Sequence, residues 1–484
     1  MEPMNLLLIM SDEHRRQVMG CYGNALAQTP HLDALAARGA RFANAACNVP
    51  ICVPSRAAFV TGRYGHQIGS WDNAAPYTGI EASSWGHRLL GAGDHVTTIG
   101  KLHFRQPGDP TGFADQRIPM HVMHGVGDLF GCIRWDMPRT RHQLEVIRHA
   151  GPGESEYIRY DRAIAAAAVA WLQHEAPRHA APWCLWVSFT LPHFPLVVPP
   201  PYFERYPPER VPLPIQWDPS DWPAHPHLRA FRETRVQTPA EHVGEAAIRR
   251  AIATYYGMCT FLDEQIGRVL GALRATGLDR STRILYTSDH GEMLGDYGCW
   301  GKHTMYDSDI AVPLILAGPE VPPGGVVDQH VSLVDAFPTI LDAFGIPPAS
   351  GDGDLPGRSL WPAAQGEAFP QRSVFAEYHA TGSESAVYLL RDARYKLVHY
   401  AGYAPQLFDL VTDRAERHDL AADAAHADAL RRLEAELRRL VDPEGLDAAA
   451  KADQRRRLAL HGGEAAIRAA GPQIAFTRAP EEFR

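Results

Sequence analysis

Long apolar runs are scarce in this chain of 484 residues. The run nearest the N-terminus, Leu6 to Met10, is too short for a membrane span or for the apolar part of a signal segment. Met1-Glu2-Pro3-Met4 before it carries no basic residue, and Ser11-Asp12-Glu13-His14 after it is polar. Long basic runs are missing too, and the net charge is −9, so nucleic acid is not an expected partner. The seven cysteines are odd in number, scattered and without paired spacing, which argues against a disulfide framework and suits a reducing compartment. No repeat of fixed period is visible. These absences lead to the expectation of a cytoplasmic protein without a membrane partner. What is present is ordinary for a globular chain: 45% hydrophobic and 21% charged residues, with length enough for one large α/β domain and a smaller one.

One stretch stands out, Asn48-Val49-Pro50-Ile51-Cys52-Val53-Pro54-Ser55-Arg56 running on to Thr61-Gly62-Arg63. It reads as a cysteine on a loop closed by Pro50 and Pro54, followed by Arg56 and then a short apolar helix that stops at Gly62. A helix start offers unpaired N–H groups and partial positive charge, which suits an anion. Arg56 adds a fixed fork of donors for a tetrahedral oxyanion. A lone cysteine on a loop is ordinarily a buried thiol. Here the surrounding Pro and Arg give Cys-x-Pro-Ser-Arg, and this motif resembles the signature of the sulfatases.

In that family the signature cysteine is oxidised to formylglycine, whose hydrate is a geminal diol. The resemblance therefore implies a formylglycine at Cys52 and a formylglycine-generating enzyme as a maturation partner. One hydroxyl attacks sulfur; deprotonating the other expels sulfate by C–O cleavage and regenerates the aldehyde. One hard step is thereby split into two easier ones.

Two apolar strands end in carboxylates. Leu6-Leu7-Leu8-Ile9-Met10 leads to Asp12, and Arg283-Ile284-Leu285-Tyr286-Thr287-Ser288 leads to Asp289-His290-Gly291. Continuous apolar runs of this kind read as parallel strands covered on both faces, and ligands gather beyond the carboxyl ends of such strands. The resemblance implies that Asp12, Asp289 and His290, with the oxygens of modified Cys52, hold one divalent ion. An oxygen-rich set favours Ca²⁺, with Mg²⁺ and, because of the imidazole, Mn²⁺ as alternatives. Glu13 stands where many members carry a second Asp, and its role as a ligand is left open.

Lys101-x-His103 follows the strand His95 to Ile99; in an extended segment this spacing puts both side chains on one face. The resemblance implies that Lys101 holds the sulfate or the formylglycine oxygen. It gives His103 the proton of the second hydroxyl, within reach of an imidazole near neutrality. His193, between prolines past the strand Trp183 to Phe189, is expected at the leaving-group oxygen. Lys302 matches the family lysine that touches sulfate. Asn73 matches an active-site Asn of the choline-sulfatase-like branch.

The resemblance implies a large, mostly parallel mixed sheet sandwiched by helices, as in alkaline phosphatase, over residues 1–370. Short strands and a leucine-striped helix (Leu430, Leu433, Leu437, Leu440) suggest a small antiparallel α+β subdomain over 371–445. A charged tail, 446–484, is expected at a subunit interface of a homo-oligomer. Helices are expected over Thr29 to Gly39, Tyr160 to Glu175, and Glu245 to Thr276. Residues 105–160 are expected as loops shaping the pocket, and Pro195 to Pro239 as irregular chain over the site. The substrate is expected to be a small alkyl or aryl sulfate ester, with Trp71, Trp135 and Tyr306 as walls for a cationic headgroup. Phosphonate monoesters or phosphodiesters, which a sister family hydrolyses with the same nucleophile and metal, are the alternative. That sister family tends to lack the Lys101–His103 pair. A non-enzymatic binding protein on the same scaffold would need a broken site, and every expected position is filled.

Overall fold

The computed structural model describes residues 2–472 and 476–484. Its centre is an eight-stranded sheet. In chain order the strands are β1 (Asn5–Asp12), β2 (Ala40–Ala46), β3 (His95–Lys101), β4 (Asp115–Met120), β5 (Trp183–Pro192), β6 (Thr282–Ser288), β7 (Leu314–Ala317) and β8 (Gly325–Ser332). The spatial order is β8-β2-β7-β6-β1-β5-β3-β4. Only β7 runs against its neighbours β2 and β6; the remaining pairs are parallel. The sheet is thus mixed and mostly parallel, as expected. Buried on both faces, β1, β5 and β6 take near-continuous apolar sequences.

Helices cover the sheet: α1 (Pro30–Ala37), α2 (Cys52–Thr61), α3 (Glu156–His174), α4 (Pro226–Arg235), α5 (Glu245–Ala275) and α6 (Ala336–Ala343). In α5, Ile248, Ile252, Tyr255, Met258, Leu262, Ile266, Val269 and Leu273 recur at helical spacing and are all buried. The helix stops at Gly277, whose φ of 72° closes the end. The region 195–239 is irregular apart from α4, single turns and the two-residue strand Val197–Val198, which pairs with Gly151–Pro152.

A second sheet holds four antiparallel strands, β9 (Val374–Tyr378), β10 (Val387–Arg391), β11 (Tyr395–Tyr400) and β12 (Gln406–Asp409). Helix α7 (Ala427–Leu440) packs Leu433 and Leu437 against Phe375, Leu390, Leu397 and Leu407. Leu430 is only partly buried, and Leu440 is 53% exposed, so the stripe is narrower than its leucines suggest.

Beyond Leu446 the described residues are largely helical; residues 473–475 lie outside the described residues. Helices α8 (Pro443–Leu460) and α9 (Glu464–Ala470) return toward the large sheet. Gln454 Nε2 donates to Asp72 Oδ2 at 2.8 Å and to the His379 carbonyl at 2.7 Å. Among the described residues no helix is long and apolar enough to cross a membrane.

Candidate active site

The register of the sheet gathers the chemistry. Ser11 of β1 pairs with Ser288 of β6, so Asp12 and Asp289 leave adjacent strands at the same level. On the other side of β1, Asp12 pairs with Pro192 at the end of β5, one residue before His193. Strand β3 lies beyond β5 and ends in Lys101. Four adjacent strands, β6-β1-β5-β3, therefore deliver Asp289, Asp12, His193 and Lys101 to one crevice. Gly100 turns the end of β3 with φ 101°, and a Cβ there would lie 2.2 Å from the Ser188 carbonyl, so only glycine fits.

Cys52 is the first residue of α2 rather than a loop residue before it, and it is 1% exposed. The i, i+4 spacing puts Cys52 and Arg56 on one face of this helix. The helix closes at Gly62, φ 67°. Cys52 Sγ lies 3.2 Å from His290 Nε2 and 3.7 Å from Asp12 Oδ1. The ligand atoms of Asp12, Cys52, Asp289 and His290 all lie within 4.8 Å of one another, and all four residues are buried. His290 Nδ1 meets the Gly291 carbonyl at 3.0 Å, which leaves Nε2 facing this centre. Two carboxylates, one imidazole and the thiol of Cys52 form a buried set that could hold one metal ion.

Arg56 departs from the sequence reading. Its guanidinium is fully buried, and its donors are turned inward rather than toward an oxyanion. Nε donates to Asp289 Oδ2 at 2.8 Å and Nη2 to Asp12 Oδ2 at 3.1 Å. Nη1 donates to the Lys101 carbonyl at 2.7 Å and Ser188 Oγ at 2.9 Å. Arg56 thus fixes two carboxylates and the end of β3, as a rigid guanidinium fork can.

Across from the carboxylates stand two lysine–histidine groups. Lys101 Nζ lies 2.5 Å from Asp12 Oδ2. Lys302 Nζ lies 2.6 Å from His193 Nε2 and 3.1 Å from Glu13 Oε2. His193 Nδ1 meets the Phe194 carbonyl at 2.6 Å, leaving Nε2 for the cavity. Glu13, at φ 64°, turns its side chain toward Lys302 and His193, and its N–H donates to Asp289 Oδ1 at 3.1 Å. His103 reaches the cavity by a left-handed turn, φ 59°, not by the strand alternation that the Lys-x-His spacing suggests. Asn73 Oδ1 accepts the Val53 N–H at 3.2 Å, close to the start of α2.

Burial penalises the Asp12 carboxylate, but Lys101, His193, Arg56 and Lys302 outweigh it and hold the group well below the usual carboxylate range. Glu13 goes the other way: burial, with Glu292 and Asp12 beside it, exceeds the pull of Lys302 and raises it well above. Burial also raises the Cys52 thiol to about 11. His193 falls well below its ordinary value through burial and Lys302, and His103 through burial and Lys101.

Cys52, Asn73, His103, His193 and Lys302 all line one cavity. Its outer wall comes partly from the region 105–160, through Val122, Met123, Asp128 and Phe130. The three aromatics expected as walls are elsewhere. Trp71 packs on His379, Trp135 bonds Glu464 beneath Arg455, and Tyr306 stacks on Tyr297 at 3.8 Å. Phe130, Phe194 and Phe476 line the cavity instead.

The C-terminal tail supplies what sequence reasoning missed. Thr477 Oγ1 lies 2.7 Å from His103 Nε2, and the Thr477 carbonyl accepts the Tyr157 hydroxyl at 2.6 Å. Tyr157 in turn packs edge-on against both His193 and Phe476. Arg478 and the Ala479 N–H are held by Glu156 at 2.7 and 2.8 Å. The described end of the tail is therefore seated on this chain's own site, and no pattern in its sequence announces that.

Comparison with known proteins agrees with this geometry. A family model described as Sulfatase matches residues 4–346, and one described as N-sulphoglucosamine sulphohydrolase, C-terminal, matches residues 295–442. The chain is 31% identical to choline-sulfatase of Rhizobium meliloti, over 94% of this chain and 90% of that protein. It is 29% identical to arylsulfatase K of Danio rerio, over 90% and 84%. Among solved structures, phosphonate monoester hydrolase of Agrobacterium radiobacter superposes with a TM-score of 0.73 at 26% identity, over 92% of this chain and 96% of that one.

Proposed function

The chain belongs to the sulfatase family of sulfuric ester hydrolases, and from that premise we propose that it hydrolyses a small alkyl or aryl sulfate monoester. We propose further that it does so with formylglycine made from Cys52 and one divalent ion held by Asp12, Asp289, His290 and residue 52. Ca²⁺ suits this donor set best, with Mg²⁺ or Mn²⁺ as alternatives. When bound, the ion supplies positive charge at the nucleophile and at the ester oxygens.

The carrying observation is the convergence of Lys101, His103, His193 and Lys302 on residue 52, opposite the carboxylates. Arg56, Lys101 and Lys302 offset Asp12 and Asp289, while Glu13 is pushed up toward its neutral form, so a divalent ion would leave the site net positive and suited to a sulfate monoanion. Lys101 and Lys302 hold the ester oxygens. The Lys302–His193 pair, with His193 Nδ1 fixed on a carbonyl and Nε2 on Lys302 Nζ, faces the leaving-group oxygen. His103 takes the proton of the second hydroxyl of residue 52 in the step that releases sulfate. Asn73 completes the cradle beside α2. Because Cys52 is almost wholly buried, the formylglycine-generating enzyme must act on the chain before it folds.

The structural neighbours favour one second reading, phosphonate monoester or phosphodiester hydrolysis. The Lys101–His103 pair favours sulfate. Kinetics on an aryl sulfate and the matching aryl phosphonate ester, on protein whose residue 52 is verified by peptide mass spectrometry, separate the two. A kcat/KM higher for the phosphonate would overturn the sulfatase reading. Activity untouched by Cys52→Ala would overturn both. Oligomerisation and a cytoplasmic location remain proposals from the sequence.

A further inference from the structure

Arg235, the last residue of α4, lines the same cavity as Cys52 and Lys302 but belongs to none of the groups described above. Nη1 donates to Thr140 Oγ1 at 2.7 Å, which fixes the plane of the guanidinium. Nε is buried and has no partner. Among the described residues Arg235 makes no ion pair. The acid facing it on the cavity wall is Asp128, whose carboxyl already accepts the Gly131 N–H at 3.0 Å; burial pushes this carboxyl up while Arg235 pulls it down, without a direct ion pair between the two. An under-compensated guanidinium at a cavity wall is costly to keep, and an anion that arrives with the substrate removes that cost. Arg235 lies within electrostatic reach of His303, the residue after Lys302, so its charge sits along the wall from the sulfate end of the cavity.

We propose that Arg235 is the receptor for a carboxylate on the organic part of the substrate, so that the preferred sulfate ester is a dianion. This rests on the sulfate-ester reading above. A carboxylate suits a guanidinium, and with Nη1 anchored on Thr140 and Nε buried, Nη2 is the donor left to meet it. The same positive charge disfavours a cationic headgroup.

The test is the ratio of kcat/KM for 4-carboxyphenyl sulfate to that for phenyl sulfate, in the metal-loaded wild type and in Arg235→Gln and Arg235→Lys. A general loss of activity cancels in this ratio. Loss of one charge-assisted pair should lower the ratio about 10- to 100-fold in Arg235→Gln, mainly through KM, with partial recovery in Arg235→Lys. An unchanged ratio in Arg235→Gln would overturn the proposal. Calorimetric affinities of the Cys52→Ala protein for the same two esters, with and without Arg235→Gln, give the ratio without turnover. A catalytic reading that failed would show as absent turnover, while the binding ratio would still decide the role of Arg235.

Discussion

Thr477→Val removes one hydroxyl from the tail and nothing else of its shape. That hydroxyl sits 2.7 Å from His103 Nε2, while His103 Nδ1 has no partner, so Thr477 is the anchor that sets the imidazole plane. A hydrogen bond of this kind contributes about 0.5–1.5 kcal/mol, and a buried ring nitrogen left unpaired costs about 1–3 kcal/mol. If one to two kcal/mol of this appears in the sulfate-releasing step, kcat should fall about 5- to 30-fold. In the proposed two-step reaction this step follows transfer of the sulfuryl group to residue 52, so KM should fall in step with kcat and kcat/KM should change little. The Thr477 carbonyl keeps its bond to Tyr157 in the variant, so the tail stays seated. Steady-state kinetics on 4-nitrophenyl sulfate, normalised to the formylglycine content of residue 52, read the effect. Thr477→Ser should restore most of the rate. A kcat within about twofold of wild type for Thr477→Val, or equal losses in the Val and Ser variants, would refute the anchoring role.

Arg56→Met keeps the bulk of the side chain but leaves the Asp12 and Asp289 carboxylates without their shared partner; destabilisation of about 3–5 kcal/mol is expected by denaturant unfolding. His193→Ala should slow esters of poor leaving groups more than activated aryl esters, and a Brønsted plot with unchanged slope would remove His193 from the leaving-group oxygen. Chelation should abolish turnover and lower the thermal midpoint by a few degrees, since an ion present at about 100 times its Kd contributes roughly 2.7 kcal/mol. At the junction of the two sheets, burial lowers the pKa of His66, but Glu377, 3.0 Å from its Nδ1, outweighs burial and raises it. The pair's stabilisation is therefore complete below the unfolded histidine value, about 6.5, and is lost as pH rises through the raised one. Melting curves above pH 6 should show this loss in the wild type and not in Glu377→Gln.

The reading of His103 shows where sequence reasoning stops. Lys101-x-His103 was legible as a pair, but the alternation argument behind it fails, because His103 turns back at φ 59°. Arg56 was legible as part of a motif, but not as a brace for two carboxylates, because its partners come from β1 and β6. Trp71, Trp135 and Tyr306 have the residue type of a cage for a cation, but packing sends each to a different neighbour. The tail lacks periodicity because its residues answer to individual partners, Thr477 to His103 and Arg478 to Glu156, rather than to one apolar face.

By itself the sequence determined the strands and where they stop. An apolar run that ends in Asp must be covered on both faces and must release its carboxylate at the sheet's edge, and that is a local property of β1 and β6. It carried as well the Cys-x-Pro-Ser-Arg motif around Cys52, a local pattern on which the sulfatase resemblance rests. Only the tertiary structure decided which donors are spent inward and which face the cavity. It also decided that a C-terminal threonine orients His103, and that Arg235 stands under-compensated in the wall. Those are contacts between residues far apart in the chain, 374 positions for His103 and Thr477, and chain spacing carries no record of them.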